Sequence, residues 1–471
     1  MNKFDLKKYE IPIFLILINI VFLFAFESSP IYNYSIYETD SGIYQNIAKE
    51  MLNGKVLYKD LFDIKGPFIF FLYLIPSIIG TNLGVYIIDV LIYSMSCFLM
   101  YKTMGKNNLS IFERLIYFLI ILSCITITYV PLIPESIMFL TISYINYWMT
   151  TKKYLSPTNL ELIFCGILTG LVFWLKFSMG TFIAVIYLYF LLKNKKIKNI
   201  VYPAVGMLLP TVIVLGYFIY HNALADMFNT YFITSTKNSI KSLEAYELAI
   251  ILGFMLVIAV FVFINLKRKN KENVLLLISY EIFVISSFIL TKHHFLYYYI
   301  PFVSIFSIIS VPIKKYKSMI APVLSMFLCS LLAFNIINIF NIKKEQEVYR
   351  QFAEDVNYEV ESISGLFIMA THIQGYLDNI NYKYFFFPSL PHISAPELWD
   401  TVREDITNKK LEYVIIRVDE NNSLQVIDDL LVSMDKIEEI MNIMYENYEV
   451  FNTYGDFIVL KRIPQDVAKT Q

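Results

Sequence analysis

The chain has 471 residues, 57% of them hydrophobic, with a net charge of −1 and a mean hydropathy of +0.55. A water-soluble domain is usually about 45–50% apolar, so the excess calls for lipid as a second solvent. The charge balance gives no sign of a nucleic-acid partner, and the four cysteines, Cys97, Cys124, Cys165 and Cys329, lie in apolar runs without metal or redox spacing.

The first apolar run, 11–26, follows a basic N-terminus and ends in "FESSP" rather than a small-residue cleavage site, so it reads as a retained anchor. A polar loop over 27–82 comes next. Within it Asp40 and Ser41 open an amphipathic stretch. Ile43, Tyr44, Ile47, Ala48, Met51 and Leu52 share one face, Gln45, Asn46, Lys49, Glu50 and Asn53 the other, and Gly54 ends it. That pattern predicts a short helix in the membrane plane, capped by Asp40 or Ser41. The run 67–80 is short for a span of about 20 residues and predicts a helix that does not cross.

Further spans are expected near 83–101, 112–130, 133–150, 160–175, 178–193, 199–220, 247–266, 273–291, 296–312 and 318–340. Keeping every short Lys/Arg-rich loop on the cytoplasmic side then gives about eleven crossings, with a cytoplasmic N-terminus. Residues 27–82 and 341–471 fall outside, so the expectation is a polytopic α-helical protein of the cell membrane. It has a membrane domain over 1–340 and a small extracytoplasmic α/β domain over 341–471. In that second domain 365–370, 383–387, 412–418 and 456–462 read as strands, and 396–408 and 424–447 as helices.

Ionisable residues gather at the outer face on this topology. Asp40, Asp63 and Glu135 are the carboxylates; Lys65, Lys176 and the Lys292, His293, His294 cluster are the cations. Taken singly, Asp40 reads as a helix cap, Lys176 as a snorkelling side chain and the Lys-His-His group as part of an interfacial belt. Taken together they read as an anion site beside a carboxylate. Charges inside the spans are few, chiefly Asp89 and Glu281. This argues against a transporter or flippase of lipid-linked glycans, which needs ionisable or helix-breaking residues deep in the membrane. A non-catalytic glycan-binding scaffold is the remaining alternative.

The loop with "IAKEMLNGK" and "LYKDLFDIKGP" after the first span resembles that of the GT-C glycosyltransferases. The relevant branch holds protein O-mannosyltransferases and lipid A aminoarabinose transferases. The likeness extends over most of 1–340, including "PESIMFLTISYINYW" at 134–148. It implies a membrane enzyme that moves a sugar from a polyprenyl phosphate, with inversion, to a hydroxyl of a protein, lipid or polysaccharide acceptor at the outer face. By the same resemblance Asp40 is the general base and Glu135 and Asp63 accompany it in the catalytic set. Lys65 is the leading phosphate ligand, with Lys176, Lys292, His293 and His294 behind it. Asp63 stands where some relatives hold a divalent metal. Two departures matter: Gly66-Pro67 replaces a pair of prolines, and Ser41 follows Asp40 where an acidic residue is common. No metal is assigned.

Overall fold

The structure is a computed structural model. It describes residues 40–79, 82–106, 109–151, 153–177, 180–237, 245–267, 271–291, 296–309, 396–418, 434–454 and 457–464. It also describes Ile13, Ile16, Phe26, residues 29–32 and scattered positions between 326 and 387. The expected spans 11–26 and 318–340 fall largely outside the described residues. The chain divides into two compact units. One comprises Met1–Ile36, Gly66–Gly216 and Lys241–Ile342; the other Tyr37–Lys65, Tyr217–Ile240 and Lys343–Gln471.

The first unit is helical. After α1 (Asp40–Leu52), which belongs to the other unit, come α2 (Pro67–Ile79), α3 (Leu83–Lys106), α4 (Ile111–Thr128), α5 (Pro134–Thr150), α6 (Asn159–Leu175), α7 (Gly180–Lys193), α8 (Lys198–Tyr220, whose residues from Tyr217 on belong to the other unit), α9 (Ala245–Lys267) and α10 (Lys271–Thr291). Their ends follow local chemistry. Ser110 and Glu113 form a reciprocal capping box at the start of α4, Thr158 and Glu161 do the same for α6, and Pro134 takes the first position of α5. Among the described residues, α3, α4 and α8 are long and apolar enough to cross a membrane. The expected span at 296–312 is instead a 3-10 helix over Leu296–Ile305, followed by one α turn, Phe306–Ile309. Pro301 inside that segment removes an amide donor that an α-helix would have used.

Small residues let α6 and α8 touch backbone to backbone. A methyl group on Gly166 would stand 2.1 Å from the Pro203 carbonyl oxygen, and one on Gly206 2.1 Å from that of Ile163. One on Gly170 would stand 2.5 Å from Pro210 Cγ. This reciprocal small-residue contact is how helices pack where lipid supplies no hydrophobic drive between them. The Trp174 indole adds a hydrogen bond to Thr211 Oγ1 at 3.0 Å. The outer side of α8 carries exposed Val201, Val205, Leu208, Leu209, Val212 and Ile213, an apolar face turned away from the protein. Elsewhere the core gathers Met138, Ile142 and Trp148 of α5, Phe190 of α7 and Tyr280 of α10. Buried Asn146 is held there by the Tyr280 hydroxyl and the Ser304 carbonyl, at 2.9 and 3.2 Å.

The second unit contains a five-stranded sheet of order β2-β1-β3-β5-β4, with β1 (Gly365–Ile368), β2 (Phe386–Phe387), β3 (Tyr413–Arg417), β4 (Tyr448–Tyr454) and β5 (Phe457–Arg462). The first three strands pair in parallel and β4–β5 is an antiparallel hairpin. Helices α11 (Pro396–Thr407) and α12 (Met434–Asn447) send Trp399, Val402, Ile406, Ile440 and Met444 into one core with Val414, Ile416, Ile458 and Leu460 of the sheet. Phe352 and Tyr349 pack on Phe457, whose side chain leaves the other face. Strand β4 was not among the expected strands, and residues 424–433 of the expected second helix lie outside the described residues. α1 forms where expected, but its faces are not cleanly divided. Polar Asn46 and Glu50 are buried along with Ile47 and Ala48, while Leu52 is exposed. Protein therefore covers both sides of a helix expected to rest on lipid.

Candidate functional site

The loop in the second unit is folded around Lys65. Gly54 at φ +94 ends α1, a conformation that favours glycine. Asp60 then closes a tight turn, accepting the Val56 amide at 2.8 Å and donating its own amide to the Val56 carbonyl at 2.8 Å. Tyr58 follows at φ +65, an uncommon value for a non-glycine residue that costs on the order of 1 kcal/mol or more. It is held there by burial, by stacking on Phe218 with centroids 5.4 Å apart, and by its hydroxyl, which donates to the Lys65 carbonyl at 2.5 Å. Burial raises the Tyr58 phenol well above its ordinary range, so it stays a donor. The Leu57 amide donates to the Tyr217 hydroxyl at 3.2 Å.

Asp63 grips Lys65 from the other side. Its Oδ1 accepts the Lys65 amide at 2.8 Å, a side chain to backbone turn across two residues. The Lys65 backbone is thus held at both its N–H and its C=O. Asp63 is itself buried, and burial pushes its carboxyl up to about 6; the nearby Lys65 charge and amide pull it down, and Asp40 adds to the rise.

The Lys65 ammonium reaches Asp40 Oδ2 at 3.4 Å, and the Tyr44 hydroxyl donates to the same oxygen at 3.3 Å. Asp40 sits in the first turn of α1. The two side chains are 30% and 24% exposed, so the pair is reachable from outside. At this length and exposure such a pair is worth about 0–1 kcal/mol, and either charge can be surrendered to a ligand at small cost. The loop is anchored further on: the Phe62 amide donates to the Lys383 carbonyl at 3.1 Å, and its ring lies 5.1 Å from that of Tyr384.

A second charged group lies in the first unit. Lys176, at the C-terminal end of α6, meets Glu135 Oε1 at 3.0 Å and lies 3.7 Å from the centroid of the Tyr298 ring. Glu135 is 2% exposed and Lys176 17%, so this pair is largely dry. Glu135 stands in the first turn of α5, where the helix dipole favours an anion. The turn that delivers it is held by Asp89 of α3, which accepts the Leu132 amide at 3.1 Å and the Tyr129 hydroxyl at 2.7 Å. Leu132 sits at φ +37 and depends on that grip. Gly66 then ties the start of α2 to the end of α6, donating its amide to the Leu175 carbonyl at 3.2 Å.

Of the expected site residues, Asp40, Asp63 and Lys65 therefore come together, and Glu135 and Lys176 pair separately in the other unit. Lys292, His293 and His294 lie outside the described residues. Tyr44, Tyr58 and Tyr298 complete the two groups and were not singled out by the sequence. Among the described residues no three His, Cys, Asp or Glu side chains converge as a metal would need. Asp40 faces an ammonium and Asp63 a backbone amide, which is not a donor set for a divalent ion. No protein-family model matches the chain, and no curated protein matches it.

Proposed function

We propose that this protein is a multi-span membrane glycosyltransferase of the GT-C type, using a sugar carried on a polyprenyl phosphate. The observation that carries the reading is the reachable Asp40–Lys65 pair on a loop whose backbone is held on both sides of Lys65. A donor phosphate exchanging with Asp40 for the Lys65 ammonium would leave the carboxylate free as a base. Asp40 then takes the proton of the acceptor hydroxyl, the hydroxyl oxygen bonds to the anomeric carbon, and the bond from that carbon to the phosphate oxygen breaks. The bonding electrons leave with the phosphate, whose charge Lys65 meets. Asp63 positions Lys65 through its amide, and the Glu135–Lys176 pair locks the start of α5 to the end of α6.

In this reading the basic loops stay cytoplasmic, about eleven helices cross, and the loop and the C-terminal domain lie outside the cell. The transporter alternative is weakened by Asp89, whose carboxylate is taken up by the Tyr129–Leu132 turn. The test is transfer by the purified protein in nanodiscs from a panel of polyprenyl-phosphate hexoses and pentoses. Radiolabelled sugar should move to an acceptor or, slowly, to water. Binding of the donors without any transfer would overturn the enzyme in favour of a carrier or scaffold.

A further inference from the structure

The segment after α8 has two faces with different partners. The helix ends at Tyr220, a short α turn runs Leu224–Met227, a π-helix Phe228–Thr234, and a last turn Ser235–Lys237. Phe218, Ala223, Met227, Thr230 and Tyr231 face inward and are buried. Ile219, Tyr220, Leu224, Phe228 and Ile233 face outward, with Tyr220 82% and Phe228 54% exposed. Within the π-helix, bonding from residue i to i+5 widens the turn and draws Ile233 towards the face that carries Phe228. Phe232 joins the stripe, its ring 5.4 Å from that of Phe228. The result is a continuous outward row of large apolar side chains, with polar Asn222 and Asn229 exposed beside it.

The row begins in the last turn of α8, where Ile219 and Tyr220 are exposed, and follows that helix directly in the chain. A helix of this length and hydropathy, once it has crossed, delivers its next residues into the headgroup layer. Aromatic and aliphatic side chains mixed with polar ones suit that layer. We propose that residues 217–237 form an interfacial foot whose outward face is covered by the headgroup and upper acyl region of the bilayer. The inference rests on reading α8 as a span and is independent of the sugar chemistry. Its inner face grips the charged loop: Tyr217 accepts the Leu57 amide, and Phe218 stacks on Tyr58, which holds the Lys65 carbonyl. The foot thereby sets the depth of Lys65 relative to the lipid surface.

Spin labels placed by Val212→Cys, Leu224→Cys, Phe228→Cys and Asn229→Cys, in a Cys124→Ala, Cys329→Ala background, measure this in nanodiscs. Collision with oxygen reports lipid and collision with a nickel chelate reports water. Labels at 224 and 228 should be severalfold less accessible to nickel than the label at 229, and shallower than the deep label at 212. Labels at 224 and 228 as nickel-accessible as at 229, with 212 deep in lipid, would overturn the foot and leave the span intact. A water-exposed label at 212 would overturn the span reading and the foot together.

Discussion

Gly66 is the tightest point next to Lys65, and Gly66→Ala puts a number on it. The added methyl would lie 2.1 Å from the Trp174 carbonyl oxygen, 2.5 Å from that of Leu175 and 2.7 Å from the Leu175 carbonyl carbon. All three are backbone atoms at the end of α6 and cannot swing aside. The chain at 66 must back away, which strains the packing by about 1–3 kcal/mol. It also breaks the 3.2 Å bond from the Gly66 amide to Leu175, worth about 1 kcal/mol. The expected loss is therefore about 2–4 kcal/mol. Gly216→Ala is the internal control: nothing lies within 4 Å of a methyl there. Inside α8 that change should stabilise by up to about 1 kcal/mol through helix propensity. Thermal unfolding of both variants in one detergent compares them directly. Gly66→Ala as stable as the wild type would refute the close contact between Gly66 and the end of α6.

Lys176→Met leaves Glu135 charged and almost fully buried, and should cost about 3–5 kcal/mol. The double variant Glu135→Gln, Lys176→Met should recover most of it, and equal losses in single and double variants would show that the pair is not coupled. For Asp63 the folded carboxyl binds its proton more tightly than the unfolded one, near 6 against the ordinary 3.8. Stability from this group is thus highest below about pH 4 and falls as pH rises to about 6, by up to about 3 kcal/mol. Asp63→Asn keeps an acceptor for the Lys65 amide, so it should flatten that slope and raise stability at pH 7.5; an unchanged pH profile would count against a buried, proton-holding Asp63. Gly166→Leu should separate α6 from α8 and destabilise by about 1–3 kcal/mol or more, whereas Gly180→Ala, with open space around it, should be tolerated.

Helices were legible because long apolar runs are local signals: the runs at 112–130 and 160–175 fold as α4 and α6, while the capping boxes at Ser110 and Thr158 that fix their starts were not among the expected features. Strands β1, β3 and β5 were legible for the same reason. β4, "YEVFNTY", buries little beyond Tyr448 and pairs on one edge only, so its residues carry no alternation to read. Asp40, Asp63 and Lys65 stood out as charges beside lipid-grade sequence, but the way they are held did not. A tyrosine at positive φ leaves no compositional mark, and Tyr58 and Tyr217 act through contacts set only once the chain has folded. The pairing of Glu135 with Lys176 depends on how α5 and α6 end beside each other, not on spacing. Asp89 looked like a charge inside a span, and its partner is the turn at Tyr129–Leu132, about 40 residues away.

The most direct test is sugar transfer by wild type and Asp40→Asn in the same nanodiscs, with unfolding followed in parallel. Because the Asp40–Lys65 contact is long and partly exposed, losing it should shift stability by no more than about 1 kcal/mol. Loss of fold therefore cannot stand in for loss of chemistry. The expected result is a folded Asp40→Asn protein whose transfer rate is down by at least about a hundredfold, the scale of a missing general base. A folded variant that transfers sugar at the wild-type rate would contradict it and return Asp40 to the role of a helix-end carboxylate.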